Sequence, residues 1–220
     1  MKRVSVVGTY HVEHGAANPS ALLAILERIN PEVIFLEMPA EALDDHFNGT
    51  RSNLESTAVG LYLGNHTVAL VPVDLPTPDA SFFREHAEMG DRIYRTNQDT
   101  RRLIDWNGKY VHAHGFAYLN SEHSDKLWAE FREADLAALK TLGDEKLTDC
   151  YELWCKTLES RDQAMIHNIK AYCQQDVFSR GAFLVGAAHR KRLMELTQPR
   201  PGGDPTDLEW DFAGFLEEPI

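Results

Sequence analysis

Val4-Ser5-Val6-Val7-Gly8-Thr9-Tyr10-His11 opens on a β-branched run that a glycine stops, the pattern of a short strand. Asn18-Pro19 follows, a capping side chain with proline at the first helical position. Leu22, Leu23, Ile25, Leu26 and Ile29 give that helix a wide apolar stripe, and Asn30-Pro31 ends it. Val33-Ile34-Phe35-Leu36 is continuously apolar, as in a strand covered on both faces. A strand–helix–strand unit of this length predicts a parallel pair with a right-handed crossover. Thr67 to Val73, with Pro72 near its end, reads as a third strand. Phe183-Leu184-Val185, stopped by Gly186, reads as a fourth. The fold class that follows is α/β, a mainly parallel central sheet flanked by helices.

The middle of the chain predicts a large helical insertion, about 79–175, within a single domain spanning 1–220. Ala80 to Ile104 and Ser124 to Leu142 are rich in helix formers, and Leu127, Trp128, Phe131, Leu136 and Leu139 read as a buried stripe of the second. Asp105 to Ser121 reads as a connector, dense in aromatic and histidine side chains: Trp106, Tyr110, His112, His114, Phe116 and Tyr118. Asp144 to Gln175 reads as helical with a break near Ser160, where Ser160-Arg161-Asp162-Gln163 matches a capping box. Arg190 to Leu196 predicts a short helix with Arg190-Lys191-Arg192 as its solvated start. The Pro/Gly-rich acidic segment 198–220 reads as a tail or edge, which Trp210, Phe212 and Phe215 imply is packed.

Composition narrows the function classes. The 220 residues carry 22 basic and 34 acidic side chains, so 22 − 34 = −12 at neutral pH, and such a surface repels nucleic-acid phosphate. With 43% apolar residues the chain suits a folded domain, not a disordered or collagen-like one. No stretch approaches the ~18 apolar residues of a membrane span, and the opening lacks the apolar run of a signal peptide. Cys150, Cys155 and Cys173 form no Cys-x-x-Cys pair and read as free thiols in a reducing compartment, which predicts a cytoplasmic location.

Chemistry collects at the strand ends. His11 comes three residues after Gly8, Glu37 directly after Leu36, Asp74 directly after Val73, and His189 three residues after Gly186. In an open parallel sheet, ligands bind outside the carboxyl ends of the strands. A lone Gly-x-x-His arises readily by chance. Two copies, each directly after a short apolar strand, are harder to assign to packing. Glycine is read here as permitting the tight turn that directs each histidine back over its strand. Two imidazoles and a carboxylate can ligate a divalent ion while leaving positions for water and substrate. His11, Glu37 and His189 supply that set, or Glu37 serves as general base while the histidines hold the ion. Arg161 would hold a substrate carboxylate or stabilise a developing oxyanion. Asp74, Tyr10, His112 and His114 complete the candidates as substrate-binding residues, His112 and His114 sharing one face if the connector is extended. The plainer readings are histidines satisfied by the backbone, Glu37 as a cap for a helix near Pro39, and Asp74 as a turn residue before Leu75-Pro76. No Gly-x-Ser-x-Gly elbow, phosphate loop or dinucleotide fingerprint is present.

In order, Gly8-Thr9-Tyr10-His11, Glu37 in Phe35-Leu36-Glu37-Met38-Pro39, Arg161 in Arg161-Asp162-Gln163-Ala164-Met165, and Gly186-Ala187-Ala188-His189 resemble the TraB/Tiki superfamily. Erythromycin esterase-like and ChaN-like proteins are its more distant relatives. The resemblance reaches from the first strand to residue 196. It implies an α/β domain with a hydrolytic site and, in the Tiki branch, a peptidase dependent on a divalent metal. The function expected is a soluble hydrolase cleaving a peptide amide or small ester through water activated on Mn²⁺, Co²⁺ or Zn²⁺. One alternative is a metal-independent, erythromycin esterase-like hydrolase with a histidine general base. Another is a regulatory protein that binds a metal, haem or peptide without turnover. A homodimer is compatible with either. The chain departs from its relatives in the basic Arg190-Lys191-Arg192 after the second motif.

Overall fold

The computed structural model describes residues 1–47, 52–198 and 208–216. The apolar runs form five parallel strands among these residues: β1 (Lys2–Thr9), β2 (Val33–Leu36), β3 (Ala69–Pro72), β4 (Arg180–Gly186) and β5 (Leu208–Asp211), in spatial order β3-β2-β4-β1-β5. The helices are α1 (Pro19–Ile29), α2 (Leu43–Phe47), α3 (Leu54–Leu63), α4 (Ala80–Thr96), α5 (Gln98–Leu119), α6 (Glu122–Leu142), α7 (Glu145–Gln175) and α8 (Arg190–Leu196). The α/β class with a parallel sheet flanked by helices is the one the strand patterns predict.

Alternation along each strand builds two cores. Val7, Ile34, Leu36, Ala182 and Leu184 pack with Leu22 and Leu26 of α1 and with Val59 and Tyr62 of α3. Val4, Val6, Val33, Phe35, Phe183 and Val185 pack on the opposite face with Met165, Ile166, Ile169 and Cys173 of α7. Both faces are therefore dry, which is why these strands carry no polar alternation. Asn18 caps α1 by accepting from Ala21 N–H at 3.0 Å, and Asn30 closes it in the left-handed region at φ 47°.

Several expectations change. Asp105–Ser121 is not a connector: α5 runs through it to Leu119, broken only at Gly115 (φ 52°, ψ −129°). The Ala80–Ile104 helix is two helices, because Asn97 ends α4 and caps α5 through Asp99 N–H at 2.8 Å. No break occurs near Ser160; α7 is continuous for 31 residues, so Arg161 lies mid-helix and not in a first turn. Leu136 leaves the predicted stripe, being 55% exposed, because α6 buries Leu127, Ala134, Ala138 and Leu139 instead. Arg190 is no solvated helix start: it is buried, ion-paired with Asp125 and set over the Phe212 ring. The C-terminal segment supplies β5, pairing Leu208–Asp211 with Lys2–Ser5; its proline- and glycine-rich part, 199–207, and 217–220 lie outside the described residues. Among the described residues no helix is long and apolar enough to cross a membrane, and none of the three cysteines forms a disulfide.

Candidate active site

Strand register brings the motif residues together. Thr9 pairs with Gly186 across β1 and β4, and Leu36 pairs with both Leu184 and Pro72. Beyond the strand ends the ladder continues, with Glu37 N–H donating to the Leu184 carbonyl (3.2 Å) and Asp74 N–H to the Met38 carbonyl (3.2 Å). His11, Glu37, Asp74 and His189 therefore share the carboxyl edge of the sheet. A Cβ built on Gly186 would stand 3.3 Å from Glu37 Oε2, 3.6 Å from His11 Nε2 and 3.7 Å from His189 Cδ2, so the three side chains converge on one point.

Neither motif glycine has a positive φ; among the described glycines Gly15, Gly115 and Gly143 do. The reason for glycine is close approach. Any side chain at Gly186 would enter the gap between His11, Glu37 and His189, and its N–H donates to Glu37 Oε2 at 2.6 Å. At Gly8 a Cβ would stand 3.1 Å from both Asn120 Oδ1 and the Leu119 carbonyl.

Glu37 is the hub. Besides Gly186 N–H it accepts from Arg161 Nη2 at 2.6 Å, and His189 Nε2 lies 3.3 Å away. Burial would raise its pKa, but His189, Arg161 and the Gly186 amide outweigh it and hold the carboxyl down at about 2. Glu37 caps no helix; the turn starting near Pro39 has no side-chain cap. Arg161 is anchored by Asp74, Nε to Oδ1 at 3.2 Å and Nη2 to Oδ2 at 2.6 Å. Asp74 also accepts Leu75 N–H at 2.8 Å, so it is both turn residue and anchor for the guanidinium. Among the described residues Arg161 Nη1 makes no hydrogen bond, leaving one face of a partly exposed guanidinium to offer.

The two histidines sit in unlike settings. His189, 9% exposed, ends a 3₁₀ turn, and its Nδ1 faces Asp162 Oδ1 at 2.5 Å. Burial opposes its charge, yet Asp162 and Glu37 push its pKa up to about 10, so it is an imidazolium at neutral pH. His11 is 57% exposed and rests Nδ1 against Glu55 Oε1 at 2.8 Å, which leaves Nε2 facing the convergence point. The Glu55 hydrogen bond raises the His11 pKa above its ordinary 6.5, against the opposing effect of burial. Thr9 Oγ1 donates to the same Glu55 oxygen at 2.6 Å, and Leu54 N–H donates to the His11 carbonyl at 3.2 Å. Burial would raise the Glu55 pKa, but His11 and Thr9 lower it.

Chain order hid Glu55 and Asp162. Asn53 and Ser56 form a reciprocal cap that places Glu55 in the first turn of α3, a helix start legible from Asn53-x-x-Ser56 alone. Asp162 sits beside Arg161, and adjacent helical residues diverge by about 100°. That divergence sends Arg161 to Glu37 and Asp74 while Asp162 reaches His189.

Tyr10, half-buried, packs against the α1–α3 core, its ring 6.4 Å from that of His14. His112 and His114 lie on α5, about 200° apart around the helix and not on one extended face. The His112 ring meets His14 at 5.2 Å and the His114 ring meets Tyr110 at 6.1 Å.

No family model, curated protein or solved structure matches this chain. The donor set itself must therefore be tested against a metal, and it does not fit one. The Glu37 carboxylate is committed to Arg161 and Gly186, with a guanidinium nitrogen at 2.6 Å where a cation would sit. Both His189 nitrogens are engaged, Nδ1 by Asp162 at 2.5 Å and Nε2 by Glu37 at 3.3 Å. Among the described residues no group of three His, Cys, Asp or Glu side chains is placed to hold an ion. A cavity of about 380 Å³ opens at the other end of the sheet, lined by Arg3, Arg28, Arg180 and Asp211, and contains none of the motif residues.

Proposed function

We propose that the chain is a hydrolase of an amide or small ester in which His11 acts directly as general base. One observation carries this reading: His11 alone among the motif residues combines a carboxylate on Nδ1 with an Nε2 turned toward the convergence point. The Glu55 carboxylate fixes the tautomer in which Nδ1 carries the proton and Nε2 accepts one. His11 Nε2 takes a proton from water as its oxygen adds to the substrate carbonyl carbon. The tetrahedral oxyanion faces Arg161 Nη1, and the His189 imidazolium adds positive field from behind Glu37. The carbon–heteroatom bond then breaks, and the leaving group takes the proton back from His11. Glu37 stays ionised throughout, holding Arg161, His189 and the Gly186 amide in one arrangement. The TraB/Tiki resemblance supports hydrolysis, and the donor set favours its metal-independent form.

The test is turnover of a panel of p-nitrophenyl esters and amino-acyl anilides, with and without chelator, alongside thermal unfolding with Mn²⁺, Co²⁺ or Zn²⁺. Turnover that survives chelator, with no ion-dependent rise in midpoint, is expected. Turnover abolished by chelator and restored by one ion would return the metal-dependent reading. A silent panel together with a ligand-dependent midpoint would favour a binding protein.

A further inference from the structure

The far edge of β1 poses a hydrogen-bonding problem just before the first motif. β4 covers one edge of β1 from Arg3 to Thr9, but β5 covers the other only from Lys2 to Ser5. In a strand, the N–H and C=O of one residue point to the same side, so Gly8 turns both groups to one edge. Both are buried with Gly8, where an unpaired amide is costly.

The carboxamide of Asn120, 2% exposed, meets them. Gly8 N–H donates to Asn120 Oδ1 at 2.7 Å, and Asn120 Nδ2 donates to the Gly8 carbonyl at 3.0 Å. This is the two-point exchange a neighbouring strand would make, supplied by one side chain. Nδ2 also donates to the Phe116 carbonyl at 3.0 Å, so the amide cannot rotate without losing three bonds. The same segment grips the loop beyond the motif. Ala16 N–H donates to the His112 carbonyl at 2.9 Å, one turn before the helix break, and a Cβ on Gly115 would stand 2.5 Å from the Ala16 carbonyl oxygen. The turn carrying His11 is thus held on both sides by the end of α5.

We infer that Asn120 is a positioning residue for His11: it substitutes for the missing strand beside Gly8 and sets where the Gly8–His11 turn delivers its imidazole. Removing the carboxamide frees Gly8 to shift, and a displacement on the order of 1 Å in a catalytic base costs up to ~10²-fold in rate. The kinetic part rests on the hydrolase reading; the spectroscopic part does not.

The experiment compares wild type, Asn120→Ala and Asn120→Asp by steady-state kinetics and by the low-field proton resonance of His11 Nδ1–H, the signature of its bond to Glu55. Tyr118→Phe is the control, because it removes a buried bond to Asn107 from the same helix without touching Gly8. Asn120→Ala is expected to lose the resonance and to lower kcat about tenfold or more with KM within about twofold. Asn120→Asp keeps the acceptor for Gly8 N–H and should fall between; Tyr118→Phe should keep the resonance. Should Asn120→Ala fail to fold, Gly8→Ala pushes on the same contact by a few tenths of an ångström and should show the same loss. A folded Asn120→Ala protein with the wild-type resonance overturns the inference, as does absence of the resonance from wild type. With no turnover by any form, the hydrolase reading fails while the resonance still decides the role of Asn120.

Discussion

Gly8-Thr9-Tyr10-His11 and Gly186-Ala187-Ala188-His189 are alike on paper and opposite in the molecule. Each follows a strand, each spaces glycine and histidine identically, and the two lie at adjacent strand ends, where Gly8 pairs with Val185 and Thr9 with Gly186. His11 faces solvent with one carboxylate on Nδ1. His189 is buried between two carboxylates. One carboxylate raises the His11 pKa and leaves Nε2 turned toward the gap beside Gly186. Two in a dry setting keep His189 charged. An open imidazole and an enclosed one thus come from one motif used twice, and the layer that folds over each copy decides which it becomes. α3 brings Glu55 to the first, and α7 brings Asp162 to the second.

The sharpest way to break this division is to remove each imidazole in turn. His11→Asn should lower turnover by about 10²–10⁴-fold, the range of a lost general base, with a smaller drop in unfolding midpoint than His189→Asn, because exposed His11 engages one carboxylate. His189→Asn should lower the midpoint as well, because it strands Asp162 and Glu37. Equal effects of both changes on the midpoint would contradict the assignment. Next comes Asp162→Ala, which leaves the buried His189 with one partner fewer; urea unfolding should show a loss of about 3–5 kcal/mol. Glu55→Gln should lower turnover about tenfold and shift the acid limb of the kcat/KM profile to lower pH, since the hydrogen bond that raises the His11 pKa is weakened. A limb that does not move would separate His11 from Glu55.

The same division predicts the pH dependence of wild-type stability. His189 has a raised folded pKa, so its contribution is complete below the ordinary 6.5 and fades as pH climbs through about 10. Glu37 has a depressed one, so its contribution is complete above about 4.5 and is lost as pH falls toward 2. Unfolding midpoints should therefore be flat between about pH 5 and 6.5 and decline on both sides. The alkaline decline should shrink in His189→Asn.

Local pattern was enough for β1 to β4, the cap at Asn18, and the placement of His11, Glu37, Asp74 and His189 on one sheet edge; β5 was not among the strands read. Those features depend on residue type and short spacing, which chain order displays directly. The Asp105–Ser121 helix escaped because aromatic and histidine residues obscured a regular α5 whose only break is one glycine. The supposed break at Ser160 arose because a capping-box pattern also fits mid-helix, where Asp162 answers to His189 and not to a helix end.

Sequence alone determined an acidic α/β chain with two histidine turns, a glutamate and an arginine in fixed order. Tertiary structure decided which histidine is enclosed and which is left open, why both motif glycines are glycine, and that Glu55, Asp162 and Asn120 contact the two motif turns. The physical reason is that protonation and orientation depend on partners from 27 to more than 100 residues away along the chain, and only packing brings those within hydrogen-bonding reach.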